Sequence, residues 1–299
     1  MNVAEEIVKL KKERNAVILA HNYTLAEVQE VADYTGDSLE LARHATQVDA
    51  DVIVFCGVSF MAETAKILNP EKMVLIPDPS AGCPMADMIT GAQLRELKAA
   101  NPGAKAVCYV NSTAEVKAEC DMCVTSGNAE RVMKTFSPDD KIIFVPDRHL
   151  GGHIEGLLNR SYTLWPGYCP VHAALTAEAI EAARKQHPDA PVLVHPECSK
   201  AVRDAADHRL STGEMCWFAR ESDAKEIIVG TEIGILHRLR KENPDKIFHP
   251  VSEEIVCSDM KKVTLDNLAA CLREMKHEVT VPEDIAAKSR KAIEAMLAV

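Results

Sequence analysis

The chain has 299 residues, of which 47% are hydrophobic but only 4% aromatic, and it carries a formal net charge of −11. Such a length builds two or three small domains or one large one, on cores of Ala, Val, Leu, Ile and Met. The acidic balance, with no basic run, excludes a nucleic-acid surface, and no apolar stretch reaches the ~18 residues of a transmembrane helix.

The opening stretch, "MNVAEEIVKLKKERN", is charged and amphipathic. It is unlike a secretory leader, so a cytoplasmic protein without a membrane partner is expected. Strand-like runs then follow in order: "AVILAH", "DVIVFCG", "MVLIP", "AVCYVN", "KIIFVPD", "VLVHPE" and "EIIVGTE". Helical patterns separate them, among them "LAEVQEVAD", "SLELARHA", "MAETAKILN" and "TAEAIEAARKQH", and further helices are expected near 1–14 and 282–298. Short continuous apolar strands between helices predict parallel sheets covered on both faces.

The chain also repeats itself. Units run from "AVILAHNY" to "MVLIPDPSAGC", from "AVCYVNST" to "YTLWPGYC", and from "PVLVHPEC" to "KIFHPVSEEIVC". A polar residue ends each first strand (His21, Asn111, His195), a hydroxyl follows (Ser38, Ser126, Ser211 or Thr212), and a cysteine closes the unit (Cys83, Cys169, Cys257). From Cys83 to Cys169 is 86 residues, and from there to Cys257 is 88. The period is too long for a solenoid and fits three α/β domains related by pseudo-threefold symmetry, over 1–87, 88–172 and 173–261, with helices of 262–299 returning to the first. Each polar residue follows a strand, so all three sets belong on ligand-binding sheet edges that can converge on one central axis.

Ten cysteines in a reducing compartment point to metal ligands, catalytic groups or small buried hydrophobes. Only Cys83, Cys169 and Cys257 recur at one point of the repeat. Three thiolates meeting on the axis make a soft-metal site, either zinc or an iron–sulfur cluster. Zinc usually takes four ligands with close CxxC pairs, which these three lack. A [4Fe–4S] cluster on three thiolates keeps one iron open as a Lewis acid; spacing alone does not separate the two. Cys56 and Cys108 sit inside apolar strands, and Cys198, Cys216 and Cys271 in or near helical patterns, as core residues. Cys120 and Cys123, in "CDMC", form a possible redox pair but are read as structural.

"AHNY", "YVNST" and "HPEC" place His21, Tyr23, Tyr109, Asn111, His195 and Glu197 beside the cysteines. The spacing in "HPE" suits a carboxylate that orients an imidazole for general acid–base work. Ser38, Ser126, Ser211 and Thr212 each precede a helical pattern and read first as N-caps. The same geometry binds carboxylate or phosphate, which suits a small polyanionic ligand in an acidic protein. Lys261 and Lys262 either add positive charge near Cys257 or open a solvated helix. "GTEIG" is not a dinucleotide fingerprint.

Taken together, "ILAHNY", "GDSLELA", "MAETAKILNP", "CPMADM", "YVNSTAE", "TSGNA", "PDRHLG", "CPVH", "HPEC", "STGEM", "GTEIG" and the run from Cys257 to Lys261 resemble the quinolinate synthase family over essentially the whole chain. The resemblance implies an oxygen-sensitive [4Fe–4S] cluster on Cys83, Cys169 and Cys257. It also implies condensation of iminoaspartate with dihydroxyacetone phosphate to quinolinate, phosphate and water, with an aspartate-oxidising enzyme as supplier. By position, His21, Ser38, Tyr109, Asn111, Ser126, His195, Glu197 and Thr212 match substrate-binding residues. Tyr23, His195 and Glu197 match acid–base residues, and His172 is a family position near the cluster. Gly127 departs from the commoner alanine and is expected to loosen the turn after Ser126. Other three-cysteine cluster enzymes should lack "HPEC" and "YVNST". An iron–sulfur sensor or electron carrier would leave the matched hydroxyls and Glu197 without a role.

Overall fold

The computed structural model describes residues 2–299. It is an α/β protein with three four-stranded parallel sheets, each flanked by helices. The first sheet contains β1 (Ala16–His21), β2 (Tyr34–Gly36), β3 (Val52–Cys56) and β4 (Met73–Leu75). The second has β5 (Lys105–Tyr109), β6 (Met122–Val124), β7 (Ile142–Val145) and β8 (Thr163–Leu164). The third has β9 (Val192–Val194), β10 (His208–Arg209), β11 (Glu226–Gly230) and β12 (Ile247–Pro250).

Within each sheet the second strand lies outside the first, and the third and fourth follow on its other side: β2-β1-β3-β4, β6-β5-β7-β8 and β10-β9-β11-β12. The chain leaves the first strand one way and returns to pair the third on its other flank. The crevice beyond the carboxyl ends of those two strands is therefore the expected ligand position in every unit. All residues of β3, β7 and β9 are buried, as continuous apolar strands covered on both faces require.

The repeat extends to a device that the sequence reading missed. Asp33, Asp121 and Asp207 each stand just before the second strand of their sheet. Their carboxylates accept the backbone N–H of Ile18, Ala106 and Val192 in the first strand, at 2.8, 2.7 and 2.8 Å. Each acid pins its short edge strand to the sheet. Asp121 is the acid within "CDMC", where Cys123 lies 3.5 Å from Cys108 rather than paired with Cys120. All ten cysteines are free thiols, and Cys56, Cys108, Cys198, Cys216 and Cys271 are buried as expected.

The C-terminal segment divides its contacts. Helix Leu265–Glu274 packs on helix Val3–Glu13, beside the first sheet, whereas helix Glu283–Leu297 lies against helix Ala114–Ala118 and β6 of the second. Ser289, fully buried, donates to the Ala114 carbonyl at 2.7 Å. No helix among the described residues is long and apolar enough to cross a membrane.

Candidate active site

The carboxyl ends of the three sheets face one cavity of about 190 Å³. Its walls include Cys83, Cys169 and Cys257, one from the loop that follows the fourth strand of each sheet. Each cysteine opens a single helical turn, at Ala86–Met88, Pro170–Ala173 and Met260–Lys262. The Cys83 sulfur takes hydrogen bonds from the backbone N–H of Ala86 and Met85, Cys169 from His172, and Cys257 from Met260 and Asp259. N–H groups aimed at sulfur favour the thiolate. Burial opposes them: it pushes the Cys83 thiol up to about 12 and raises Cys169 and Cys257 as well. The pocket is thus built for three thiolates but lacks the positive charge that would ionise them. A thiophilic metal centre supplies that charge, so the donor set fits one.

His21 and His195 share a local device. Each ends or follows a first strand, and its Nδ1 accepts the backbone N–H two residues on, from Tyr23 at 3.1 Å and Glu197 at 3.3 Å. That leaves the proton on Nε2. Burial lowers both imidazoles to about 3, so both are neutral.

The "HPEC" expectation needs correction here. The Glu197 carboxylate stands 3.8 Å from His195 Nδ1, which its own backbone N–H already occupies. The carboxylate instead lies 2.7 Å from His172 Nδ1, which also meets Cys169 Sγ at 3.2 Å, and it accepts from the Tyr109 hydroxyl at 2.7 Å. Burial would raise the Glu197 pKa, but His195, His172 and the two hydrogen bonds outweigh it and hold the group ionised. Both phenols go the other way: burial, then the Glu197 charge, raise Tyr23 and Tyr109 well above the ordinary range. They are standing proton donors. The Asn111 side-chain oxygen is buried without a partner, an acceptor free for a ligand N–H or O–H.

The hydroxyl set also departs from the sequence reading. Ser38 and Thr212 line the cavity but are not caps. Asp37 and Ser211 cap those helices, each in a capping box with Glu40 or Glu214, which puts Ser38 and Thr212 at the first helical position with free hydroxyls. Thr212 accepts from Asn22 at 3.0 Å, so its proton remains to donate. Ser126 lines the cavity from the loop ahead of helix Ala129–Met133. Ser211 does not line it and faces the outer groove beside Trp217. Gly127 lies against it: an added Cβ would sit 3.0 Å from Ser211 Oγ, so the glycine admits close approach of the third unit to the second.

No lysine or arginine is among the described residues lining the cavity, whereas Asp37, Glu197, Glu232 and Asp259 are. Lys261 does not line the cavity and is only partly exposed. It pairs with the fully buried Glu232 at 2.8 Å and donates to the Tyr23 carbonyl at 2.5 Å. Lys262 reaches the Ser80 carbonyl at 2.7 Å. Sequence reasoning missed Thr231 and Glu232, although both follow the third strand of a unit, where the switch-point rule directs attention.

A second grouping of metal donors, His187, Glu226 and His249, lies at the N-terminal end of β11, opposite the cavity. Its imidazoles stack at 3.5 Å with planes 16° apart. Glu226 is their shared ion-pair partner.

The fold and cavity define a class: a three-unit α/β protein whose units jointly present three thiols, two neutral imidazoles, a buried carboxylate and two phenols to one cavity. The comparisons place the chain within that class. The family model described as Quinolinate synthetase A protein matches residues 5–298, and the chain belongs to that family. A protein of Dehalococcoides mccartyi named quinolinate synthase is 57% identical over 297 residues, covering 99% of this chain and 98% of its own. Its namesake in Thermodesulfovibrio yellowstonii is 51% identical, covering 98% and 97%, and quinolinate synthase 2 of Methanosarcina acetivorans is 51% identical, covering 99% and 96%. Among solved structures, the E-1-hydroxy-2-methyl-but-2-enyl-4-diphosphate reductase of Plasmodium falciparum aligns over 87% of this chain and 80% of its own, at TM-score 0.32 and 14% identity.

Proposed function

We propose that the protein is a quinolinate synthase of NAD biosynthesis. It condenses iminoaspartate with dihydroxyacetone phosphate to give quinolinate, phosphate and two molecules of water. The observation that carries this reading is the convergence of Cys83, Cys169 and Cys257 with Tyr23, Tyr109, His195 and Glu197 on one cavity, from all three sheets. Membership of the family supports it. The three cysteines would hold a [4Fe–4S] cluster; when bound, it supplies a Lewis-acidic iron that assists loss of hydroxide.

This chain's own residues do the rest. Ser38, Ser126 and Thr212 hold the acid groups of the substrates, helped by the N-termini of helices Ser38–Gln47 and Thr212–Glu221. Those N–H groups stand in for the cations that the lining lacks, so an acidic pocket accepts an acidic ligand. His21, His172 and Asn111 complete the substrate contacts. The enamine carbon of iminoaspartate displaces phosphate from the triose, the remaining hydroxyketone isomerises to the terminal aldehyde, and the nitrogen then closes the six-membered ring on that aldehyde carbon, with loss of two waters. Protonated Tyr23 gives a proton to the departing oxygen, and ionised Glu197, with neutral His195, removes protons from carbon and nitrogen. The enclosed cavity keeps bulk water from the labile imine. Since the imine hydrolyses readily, an aspartate-oxidising enzyme is the fitting supplier, and the chemistry belongs in the cytoplasm. The same convergence supports division of the chain at 1–87, 88–172 and 173–261.

The test is an anaerobic assay of the reconstituted protein with enzymatically generated iminoaspartate and dihydroxyacetone phosphate, reading quinolinate by chromatography. Brown protein that turns over is expected. A full iron complement with no quinolinate formed overturns the reading.

A further inference from the structure

Among the described residues no cation lines the cavity, yet Arg238 stands behind its wall. This largely buried arginine lies on helix Ile235–Glu242 of the third unit. Its guanidinium donates to the Asn22 side-chain oxygen at 3.1 Å and to Glu40 Oε2 at 3.2 Å, both in the first unit. Its Nε holds Glu242 on its own helix at 2.7 Å. Glu40 closes the capping box of the helix that Ser38 opens, accepting the Asp37 backbone N–H at 2.9 Å. Asp37 in turn accepts the backbone N–H of Gly213, next to Thr212, at 3.3 Å. Arg238 therefore sits where the two helix N-termini that present Ser38 and Thr212 to the cavity are tied together.

Counting donors and acceptors fixes the Asn22 amide. Arginine only donates, so the amide oxygen faces Arg238 and the amide NH₂ faces Thr212. Asn22 is fully buried, and that NH₂ donates to Thr212 Oγ1 at 3.0 Å. Thr212 accepts from within the protein, which leaves its single proton for the cavity, where an acid group of a ligand can only accept. The reversed amide would set NH₂ against the guanidinium and spend the Thr212 proton on the asparagine oxygen. Asn22 does not itself line the cavity, although its neighbours His21 and Tyr23 do.

We propose that Arg238 and Asn22 are positioning residues for substrate binding: the arginine locks the asparagine amide, and the amide makes the Thr212 hydroxyl a fixed donor to a carboxylate of the ligand. This deepens the reading of the cavity as a quinolinate synthase site and rests on it. Neither residue touches substrate. A cation held one residue back orients the donor without filling the cavity.

The experiment measures the Kd of quinolinate by anaerobic calorimetry, and kcat and KM, at equal iron and sulfide content. It compares wild type, Asn22→Asp, Thr212→Val and the Asn22→Asp/Thr212→Val double variant. The aspartate keeps the shape and the bond to Arg238, but it only accepts, so Thr212 must turn its proton inward. The expected result for Asn22→Asp is a Kd at least 10-fold weaker with kcat within about threefold, since binding lost equally from ground and transition states moves KM alone. The double variant should bind no more weakly than the weaker single variant, because both changes remove one donor. Asn22→Asp within threefold of the wild-type Kd overturns the proposal. Additive losses in the double variant also overturn it, assigning the effect to the added charge. A second pair decides the matter if Asn22→Asp does not fold: Arg238→Met should weaken Kd at least fivefold and Arg238→Lys, which still donates, should recover most of it. Equal affinity in those two variants overturns the proposal. Loaded wild-type protein that neither binds nor makes quinolinate overturns the parent reading instead, and the two failures are distinct.

Discussion

At the scale of single residues, the site separates groups that must carry charge from groups that must not. His21 and His195 are buried and neutral, Tyr23 and Tyr109 are held protonated, and Glu197 is ionised by the partners around it. Replacing Glu197 by Gln removes the sole charged acceptor for His172 and Tyr109. We expect kcat to fall by 10²-fold or more with the fold retained, measured by quinolinate formation alongside circular dichroism. The three sulfurs make a different prediction. In Cys169→Ala, bound iron should fall well below the ~4 per chain of a full cluster, and the brown colour should go with it. A Cys169→Ala protein with full iron and full activity would sink the ligand assignment.

At the scale of elements, the strand-to-loop boundaries carry the chemistry, and there the sequence was most legible. "AVILAH" is β1 residue for residue, and the recurrence of a cysteine after each fourth strand is visible in spacing alone. What was not legible lay in pairings between distant segments. Nothing local to "HPEC" shows that His172 takes the Glu197 carboxylate while the Glu197 backbone satisfies His195. Nor does "TGDS" reveal that Asp37, not Ser38, is the cap, since either residue type serves there. Short edge strands such as β10 escaped because two residues leave no periodicity to read. Gly234 shows how tight these joints are. It has ordinary helical backbone angles, so its role is close approach: an added Cβ would stand 2.7 Å from Lys261 Nζ, 2.8 Å from Glu232 and 2.8 Å from the Tyr23 Cα. Gly234→Ala should cost about 1–3 kcal/mol and lower the melting temperature measurably, with activity falling because Tyr23 is displaced. An unchanged melting curve would refute the tight joint.

At the scale of the whole molecule, burial of neutral histidines sets an acid limit. In the folded state His21 and His195 titrate near 3 instead of 6.5, so the native protein binds fewer protons than the unfolded chain between those values. Their contribution is present above pH 6.5 and lost as pH falls, about 2 kcal/mol for each by pH 5. Asp37 acts oppositely. Burial first, then Glu40, raise it to about 6, so its carboxylate costs stability as pH rises from about 4 through 6. Melting temperature should therefore drop on acidification from pH 7 to 5, and Asp37→Asn, which keeps a capping oxygen, should raise it at pH 8 but not at pH 4. The placement of the cysteines has a last consequence. Because each sheet owns one sulfur, a bound metal centre is a three-way rivet, and its binding energy is lost unless all three bodies are seated. Loading should slow protease cleavage at every joint together, and oxidative loss of the centre should loosen the molecule everywhere rather than at one loop.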